Sequence, residues 1–201
     1  TANRRGLCPF CRTPAHASDE ELIERIAKRV ETGDANAYRQ LGCFYNRGGF
    51  GLPLDREKAM ELWLRSGELG CSKSYFNIGN SYYNEGVERD TMKAKHYYEL
   101  AAMEGCVSAR YNLGWWEENE RGNMPRAIKH YMISAGEGCD DSLTAIRESY
   151  MRGYATKDDF EKALRTHKDS IDQVTSEKRE AASAFVGNPE LGHFSPQLIL
   201  H

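Results

Sequence analysis

The sequence predicts an all-α protein, a right-handed α-solenoid of antiparallel helix pairs with helical caps. Three observations lead to this prediction: a repeated helix with a fixed alanine, a second repeated helix with a fixed glycine, and a charged, capped helix on either side of the repeats. Self-similarity at a spacing of about 20 to 50 residues is typical of solenoids, in which each unit packs only on its neighbours.

The fixed alanine follows a lysine or arginine and precedes an aromatic residue by four positions. The copies are Lys58-Ala59 with Trp63, Lys93-Ala94 with Tyr98, Arg126-Ala127 with Tyr131, and a degraded Lys162-Ala163 with His167. A helix N-cap candidate precedes each of the first three alanines, and a glycine follows each of them; these residues are Asp55, Asp90 and Asn123, and Gly70, Gly105 and Gly138. Each unit therefore contains one helix, here called helix B, with the alanine on its inner face.

The fixed glycine lies upstream, in a segment that we call helix A. It forms the pairs Leu41-Gly42, Ile78-Gly79 and Leu113-Gly114, and a small residue stands four positions earlier. A fourth copy with Ser142, Ile146 and Tyr150 has Arg147 in the glycine position. A glycine inside a helix costs about 1 kcal/mol relative to alanine, so its recurrence predicts a close approach between neighbouring helices.

These residues resemble a known family. The order Ala37-x-x-x-Leu41-Gly42-x-x-Tyr45, a glycine-containing loop, and then Asp55-x-x-Lys58-Ala59 is similar to the Sel1-like repeat, a relative of the tetratricopeptide repeat. The resemblance covers about residues 34 to 168, with departures at Glu117 and in a shortened loop before Asn123. It implies a protein-binding scaffold or adaptor, including roles in ubiquitin-linked degradation at the endoplasmic reticulum.

Capping boxes at Ser18 to Glu21 and at Thr156 to Asp159 predict a helix on each side of the repeats. The predicted organisation has five segments. They are a RING-like remnant and linker at 1–17, a capping helix at 18–33, Sel1-like repeats at 34–155, a long capping helix at 156–184 and a tail at 185–201.

The pair Cys8 and Cys11 is the one segment with metal-binding chemistry. Two thiolates at C-x-x-C spacing supply half of a tetrahedral zinc site. Cys8-Pro-Phe-Cys11-Arg12 resembles the last ligand pair of a RING finger, the ubiquitin-ligase domain, so zinc is expected only if further ligands lie upstream of Thr1. Two alternatives stay open: a pair without a metal, and a dithiol oxidoreductase, since the motif is also similar to the glutaredoxin active site.

Apart from the Cys8 and Cys11 pair, the sequence has no Gly-x-Ser-x-Gly, P-loop or Gly-x-Gly-x-x-Gly motif, so this stretch is predicted to be non-catalytic even if the intact protein is a RING-type ligase. The net charge of -3 disfavours nucleic acid as a partner. No apolar run is long enough to span a membrane.

The scattered cysteines favour a reducing compartment, the cytoplasm or nucleus. Cys71, Cys106 and Cys139 occupy one equivalent position in successive repeats, which predicts a structural role. The oligomeric state is left open.

The partners are expected to be proteins or peptides in a concave groove formed by the A helices. Positions two before, two after and five after the Leu or Ile of helix A are predicted to face it. These residues are Arg39, Cys43 and Asn46, then Phe76, Asn80 and Tyr83, then Tyr111, Trp115 and Glu118. The aromatic members suit an interaction hot spot with polar neighbours. The alternative is that these rings pack between the repeats.

Overall fold

The computed structural model describes residues 18–84 and 89–186, without the side chains of residues 179 and 181–186. Cys8, Cys11 and the tail from residue 187 lie outside the described residues. In the described part the chain forms nine α-helices and no β-strand. They are α1 (Asp19–Glu31), α2 (Ala35–Arg47), α3 (Arg56–Glu68), α4 (Ser72–Tyr83), α5 (Thr91–Met103), α6 (Val107–Asn119), α7 (Met124–Gly136), α8 (Asp140–Met151) and α9 (Lys157–Val186).

The chain divides into two compact units, residues 1–123 and 124–201. In the first unit α1 packs on α2, and every later helix packs on its predecessor up to α6. In the second unit α7, α8 and α9 pack on one another. The A helices of the first unit are α2, α4 and α6, and its B helices are α3 and α5.

Helix starts follow the predicted caps. Asp55 and Asp90 accept hydrogen bonds from the backbone N–H groups of Lys58 and Lys93, each at 2.9 Å. The same backbone bond holds the pKa of the Asp90 carboxyl below its ordinary value. Such bonds satisfy N–H groups that have no partner within the helix. Ser18 accepts from Glu21 N–H as an N-cap, and Thr156 forms the complete capping box by bonding reciprocally to Asp159.

The predicted glycines end the B helices in one repeated geometry. Gly70, Gly105 and Gly138 all have left-handed backbones, with φ of 88°, 81° and 88°. The cysteine that follows each glycine donates its backbone N–H to the carbonyl five residues earlier, as Cys106 does to Ala101 at 2.9 Å. This arrangement is a Schellman motif, for which glycine is favoured because it has no Cβ to clash.

The repeated alanines form the centre of the packing. Ala59, Ala94, Ala127 and Ala163 are all fully buried. Ser142 and Ile146 of α8 are fully buried as well, so the degraded fourth copy keeps the helical phase of the others. The fourth copy's B-helix residues, Lys162, Ala163 and His167, lie in the long helix α9.

Gly42 and Gly79 of the A helices leave room for an aromatic ring of the following B helix. A Cβ on Gly42 would lie 2.7 Å from Trp63 ring atoms, and a Cβ on Gly79 would lie 2.6 Å from those of Tyr98. Each of these rings stands four residues after the buried alanine of its B helix. The glycine and the aromatic ring are thus one packing unit, which explains why both recur.

The cysteines among the described residues are free thiols, Cys43, Cys71, Cys106 and Cys139. Cys106 is buried in the core cluster that contains Ala94, Tyr98 and Leu113, as the structural prediction requires. Cys71 and Cys139 are half-buried.

Candidate functional site

Two adjoining clefts lie in the first unit, between the A helices. The asparagine cleft, of about 270 Å³, is lined by Cys43, Asn46, Arg47, Arg56, Trp63, Asn77, Asn80, Ser81 and Asn84. The aromatic cleft, of about 230 Å³, is lined by Asn80, Tyr83, Asn84, Tyr98, Tyr111, Asn112 and Trp115. Asn80 of α4 and Asn84, the C-cap of that helix, line both, so the two clefts form one continuous surface.

Two aromatic rings meet edge to face in the aromatic cleft. The ring centroids of Tyr83 and Trp115 are 5.1 Å apart at an interplanar angle of 85°, a favourable arrangement for aromatic quadrupoles. The Tyr83 hydroxyl donates to Glu120 Oε1 at 3.0 Å, and Arg89 donates to the same oxygen at 2.9 Å. Burial, together with Glu120, raises the pKa of Tyr83, so the phenol stays a neutral donor. The cleft wall is therefore held in place before any partner arrives.

Asn80 is fixed by a hydrogen-bond network behind the clefts. Its Oδ1 accepts from the Tyr98 hydroxyl at 2.8 Å and from Asn112 Nδ2 at 3.1 Å. Tyr98 is only 2% exposed, and this burial raises its pKa to about 12. The network ties α4 to α5 and α6 and sets the direction of the Asn80 amide.

Polar groups dominate the asparagine cleft. Asn77 Nδ2 lies 3.5 Å from Cys43 Sγ, which joins α4 to α2. The indole N–H of Trp63 donates to the backbone carbonyl of Arg39 at 3.2 Å, so this ring supplies a buried floor. Arg47 and Arg56 are exposed and contribute two positive charges.

The structure brings six of the nine predicted groove residues to the clefts and leaves three outside their lining. The six are Cys43, Asn46, Asn80, Tyr83, Tyr111 and Trp115. Arg39, Phe76 and Glu118 are half-buried and do not line either cleft. Phe76 packs against Tyr98 instead, with ring centroids 6.1 Å apart.

Sequence reasoning missed other lining residues. Asn77, Asn84, Arg47 and Asn112 stand one before or six after the Leu or Ile of their A helix. Because residues at i and i+3 share one helix face, Asn77 and Asn80 form a stripe along α4, and the C-cap Asn84 continues it. The spacing of these asparagines is visible in the sequence and could have indicated this part of the cleft lining. Arg56, on a B helix, had no comparable signal.

No cluster of three or more metal-ligating side chains occurs in the described ranges 18–84 and 89–186. Within the same residues, no helix has the length and apolar character needed to cross a membrane.

The family profile of the Sel1 repeat matches three consecutive segments, residues 35–71, 72–106 and 107–137. The segments begin at the first residues of α2, α4 and α6. The chain belongs to the Sel1 repeat family. This result confirms the resemblance that the recurring Leu/Ile-Gly and Lys/Arg-Ala pairs predict.

Three curated relatives are much longer than this chain. The sel1-like repeat-containing protein L21 of Acanthamoeba polyphaga mimivirus is 24% identical over 135 residues, 67% of this chain and 25% of that protein. Two ERAD-associated E3 ubiquitin-protein ligase components of Arabidopsis thaliana, HRD3B and HRD3A, are 34% and 32% identical over 37% and 50% of this chain. The chain spans only 13% and 16% of their lengths.

Solved structures of Sel1 repeat proteins share the fold. A Sel1 repeat protein from Oxalobacter formigenes is 27% identical, with a TM-score of 0.65 over 77% of this chain and 64% of that one. The protective antigen c5321 of uropathogenic Escherichia coli is also 27% identical, with a TM-score of 0.63 over 75% of this chain and 33% of that one. The fold class is thus the all-α solenoid predicted from the repeats.

Proposed function

We propose that this chain is a protein-interaction scaffold, and that the two clefts of its first unit bind a segment of a partner protein. The supporting observation is the pair of adjoining clefts, where a preformed aromatic wall stands beside a row of amide side chains. Rigid aromatic residues surrounded by polar groups are the usual composition of protein-binding hot spots.

The proposal follows from what the clefts lack as well as from what they contain. Among the residues that the structure describes, those lining the clefts include no carboxylate or histidine that could act as a general acid or base, and no serine–histidine pair. Amide and phenol groups donate and accept hydrogen bonds at neutral pH without changing charge. Such groups are suited to recognising a ligand.

Selection from a random peptide library tests this function on the full chain. We expect peptides to be enriched whose binding depends on Trp115. Trp115→Ala should weaken them by at least about 2 kcal/mol, roughly 30-fold, because a rigid anchor is lost. Isothermal titration calorimetry measures the affinity, and circular dichroism checks that the variant is folded.

Leu64→Ala is the matched control, since Leu64 is an exposed apolar residue of α3 outside both clefts. It should leave the affinity unchanged. Failure to enrich any peptide that distinguishes Trp115→Ala from Leu64→Ala would contradict the proposed site.

A second candidate role is that of a substrate-recognition arm in a ubiquitin ligase. It is favoured by the similarity to the two HRD3 ligase components and by the RING-like sequence around Cys8 and Cys11. The RING part of the proposal requires further cysteine or histidine ligands before Thr1.

Zinc analysis of a chain extended upstream of Thr1 tests this role. About two zinc ions that a chelator removes, and that are reduced in Cys8→Ser, would support a RING domain. A zinc-free protein with a reducible bond between Cys8 and Cys11 would instead support the dithiol alternative. If the upstream sequence holds no such ligands, the RING part of this proposal fails.

A further inference from the structure

The asparagine cleft carries positive charge that this part of the chain does not neutralise. Arg47 and Arg56 line it, and none of its lining residues within the ranges 18–84 and 89–186 is an aspartate or glutamate. Within the described residues neither arginine forms an ion pair, whereas Arg29, Arg65 and Arg89 each do. An anionic group entering the cleft would therefore gain two charge-assisted contacts.

The amide of Asn80 presents hydrogen-bond donors to the junction of the clefts. Its Oδ1 is occupied by the Tyr98 hydroxyl and by Asn112 Nδ2. Its Nδ2 has no hydrogen-bond partner in the part of the chain that the structure describes, although Asn80 lines both clefts. A donor held in a fixed direction is suited to the backbone carbonyl of an extended peptide.

The adjoining aromatic cleft has an apolar wall, whereas the asparagine cleft is cationic. The edge-to-face pair of Tyr83 and Trp115 forms an apolar wall, and the bond from Tyr83 to Glu120 holds that wall in place. An apolar side chain is the group that gains most from contact with such a wall. The surface thus combines an apolar subsite with a cationic one.

The spacing of the helices sets the distance between the two subsites. Packed helices lie about 8 to 10 Å apart, and an extended chain advances about 3.3 Å per residue. The aromatic cleft lies on the α6 side of α4 and the asparagine cleft on the α2 side. About three peptide residues therefore separate a side chain in one cleft from a side chain in the other.

We propose that the two clefts together bind an extended acidic segment of a partner protein. An aromatic or aliphatic side chain of that segment packs against Tyr83 and Trp115, and a carboxylate about three residues away lies between Arg47 and Arg56. The Asn80 amide donates to a peptide carbonyl between the two side chains. This inference rests on the proposed function and adds the chemistry of the partner.

The test uses the full chain and synthetic peptides of about twelve residues in a glycine–serine host. Each peptide carries one phenylalanine and, about three positions before or after it, a pair of glutamates. Fluorescence polarisation measures affinity. We expect binding in at least one of the two orders, with a loss of about 10-fold or more when the glutamates become glutamines or the phenylalanine becomes alanine. The glutamate-dependent part should weaken as salt rises.

Protein variants locate the charged contact. The double variant Arg47→Gln and Arg56→Gln should lose about 10-fold in affinity for the glutamate peptide and little for its glutamine version. Lys28→Gln with Lys73→Gln is the matched control, because it removes the same charge from exposed positions of this unit outside the clefts. Equal losses in both double variants would show long-range attraction only and overturn the assignment of Arg47 and Arg56.

The library selection separates this inference from the function on which it rests. Trp115-dependent peptides rich in aspartate or glutamate near an apolar residue would support both. Trp115-dependent peptides without acidic residues would overturn the acidic-partner inference and leave the proposed function standing. If no Trp115-dependent peptide is enriched, the proposed function itself fails.

Discussion

Replacing Gly79 with alanine is the sharpest test of how the A and B helices pack. An added Cβ would lie 2.6 Å from Cδ1 and Cε1 of Tyr98 and 3.2 Å from the backbone oxygen of Ala94. The ring has little freedom to move away, because it is 2% exposed and its hydroxyl is bonded to Asn80 on the same helix as Gly79. The Ala94 oxygen belongs to a helix backbone and is equally constrained.

Two opposing effects decide how much Gly79→Ala changes the free energy of unfolding. Alanine favours a helix interior over glycine by about 1 kcal/mol, which would stabilise the variant. Overpacking a filled core costs about 1 to 3 kcal/mol, and here the contact involves both a fixed ring and a backbone atom. Loss of the bond from Tyr98 to Asn80 on ring displacement would add about 1 kcal/mol. The net expectation is a decrease of about 1 to 3 kcal/mol in the free energy of unfolding.

Urea denaturation followed by tryptophan fluorescence measures this loss. All three tryptophans, Trp63, Trp115 and Trp116, lie in the first unit, so their emission follows the unfolding of that unit. Gly49→Ala is the control, because Gly49 has a permissive φ and nothing within 4 Å of an added Cβ. A Gly79→Ala protein as stable as wild type, or more stable, would refute the argument that the glycine is required by the Tyr98 ring.

Three further predictions concern the core. Cys106→Ala should lower the free energy of unfolding of the first unit by about 1 kcal/mol in urea titrations while peptide affinity stays unchanged; a lost affinity at unchanged stability would give this thiol a functional role. Because burial raises the pKa of Tyr98 from 10.0 to about 12, stability should be complete below pH 10 and decline towards pH 12, by up to about 3 kcal/mol. Denaturation across this range should show a smaller decline for Tyr98→Phe, and an equal decline would contradict the assignment. The Ser74 hydroxyl donates to Ser66 at 2.7 Å, and Ser66 donates to the Ala35 carbonyl at 2.6 Å. Ser66→Ala should therefore cost about 2 kcal/mol and Ser74→Ala about 1, and the reverse order in thermal or urea unfolding would be inconsistent with this chain of bonds.

The described helices could be predicted from the sequence because their signals are local. The bounds of α1 follow from the capping box at Ser18 and the glycine at position 33. The starts of α3 and α5 follow from Asp55 and Asp90. Each of these signals acts within about four residues of the chain, through hydrogen bonds that the backbone must make in any fold.

The cleft residues were only partly predictable, because a helix phase is set by its neighbours. A shift of one position along a helix rotates a side chain by about 100°, enough to move it from a surface to a core. Phe76, two positions before Ile78, is predicted to face the groove. In the structure its ring packs against Tyr98 and does not line either cleft. Asn84 and Arg47, six positions after the Ile or Leu of their A helices, line the asparagine cleft instead.

The sequence by itself determined that this protein is built of Sel1 repeats, since the repeated alanine, glycine and caps recur in register and each acts locally. Only the tertiary structure decided which side chains meet. The bonds from Tyr98 and Asn112 to Asn80 join residues 18 and 32 positions apart, and Arg47 and Arg56 share a cleft from different helices. Such contacts depend on the packing of several helices at once, which no local pattern encodes.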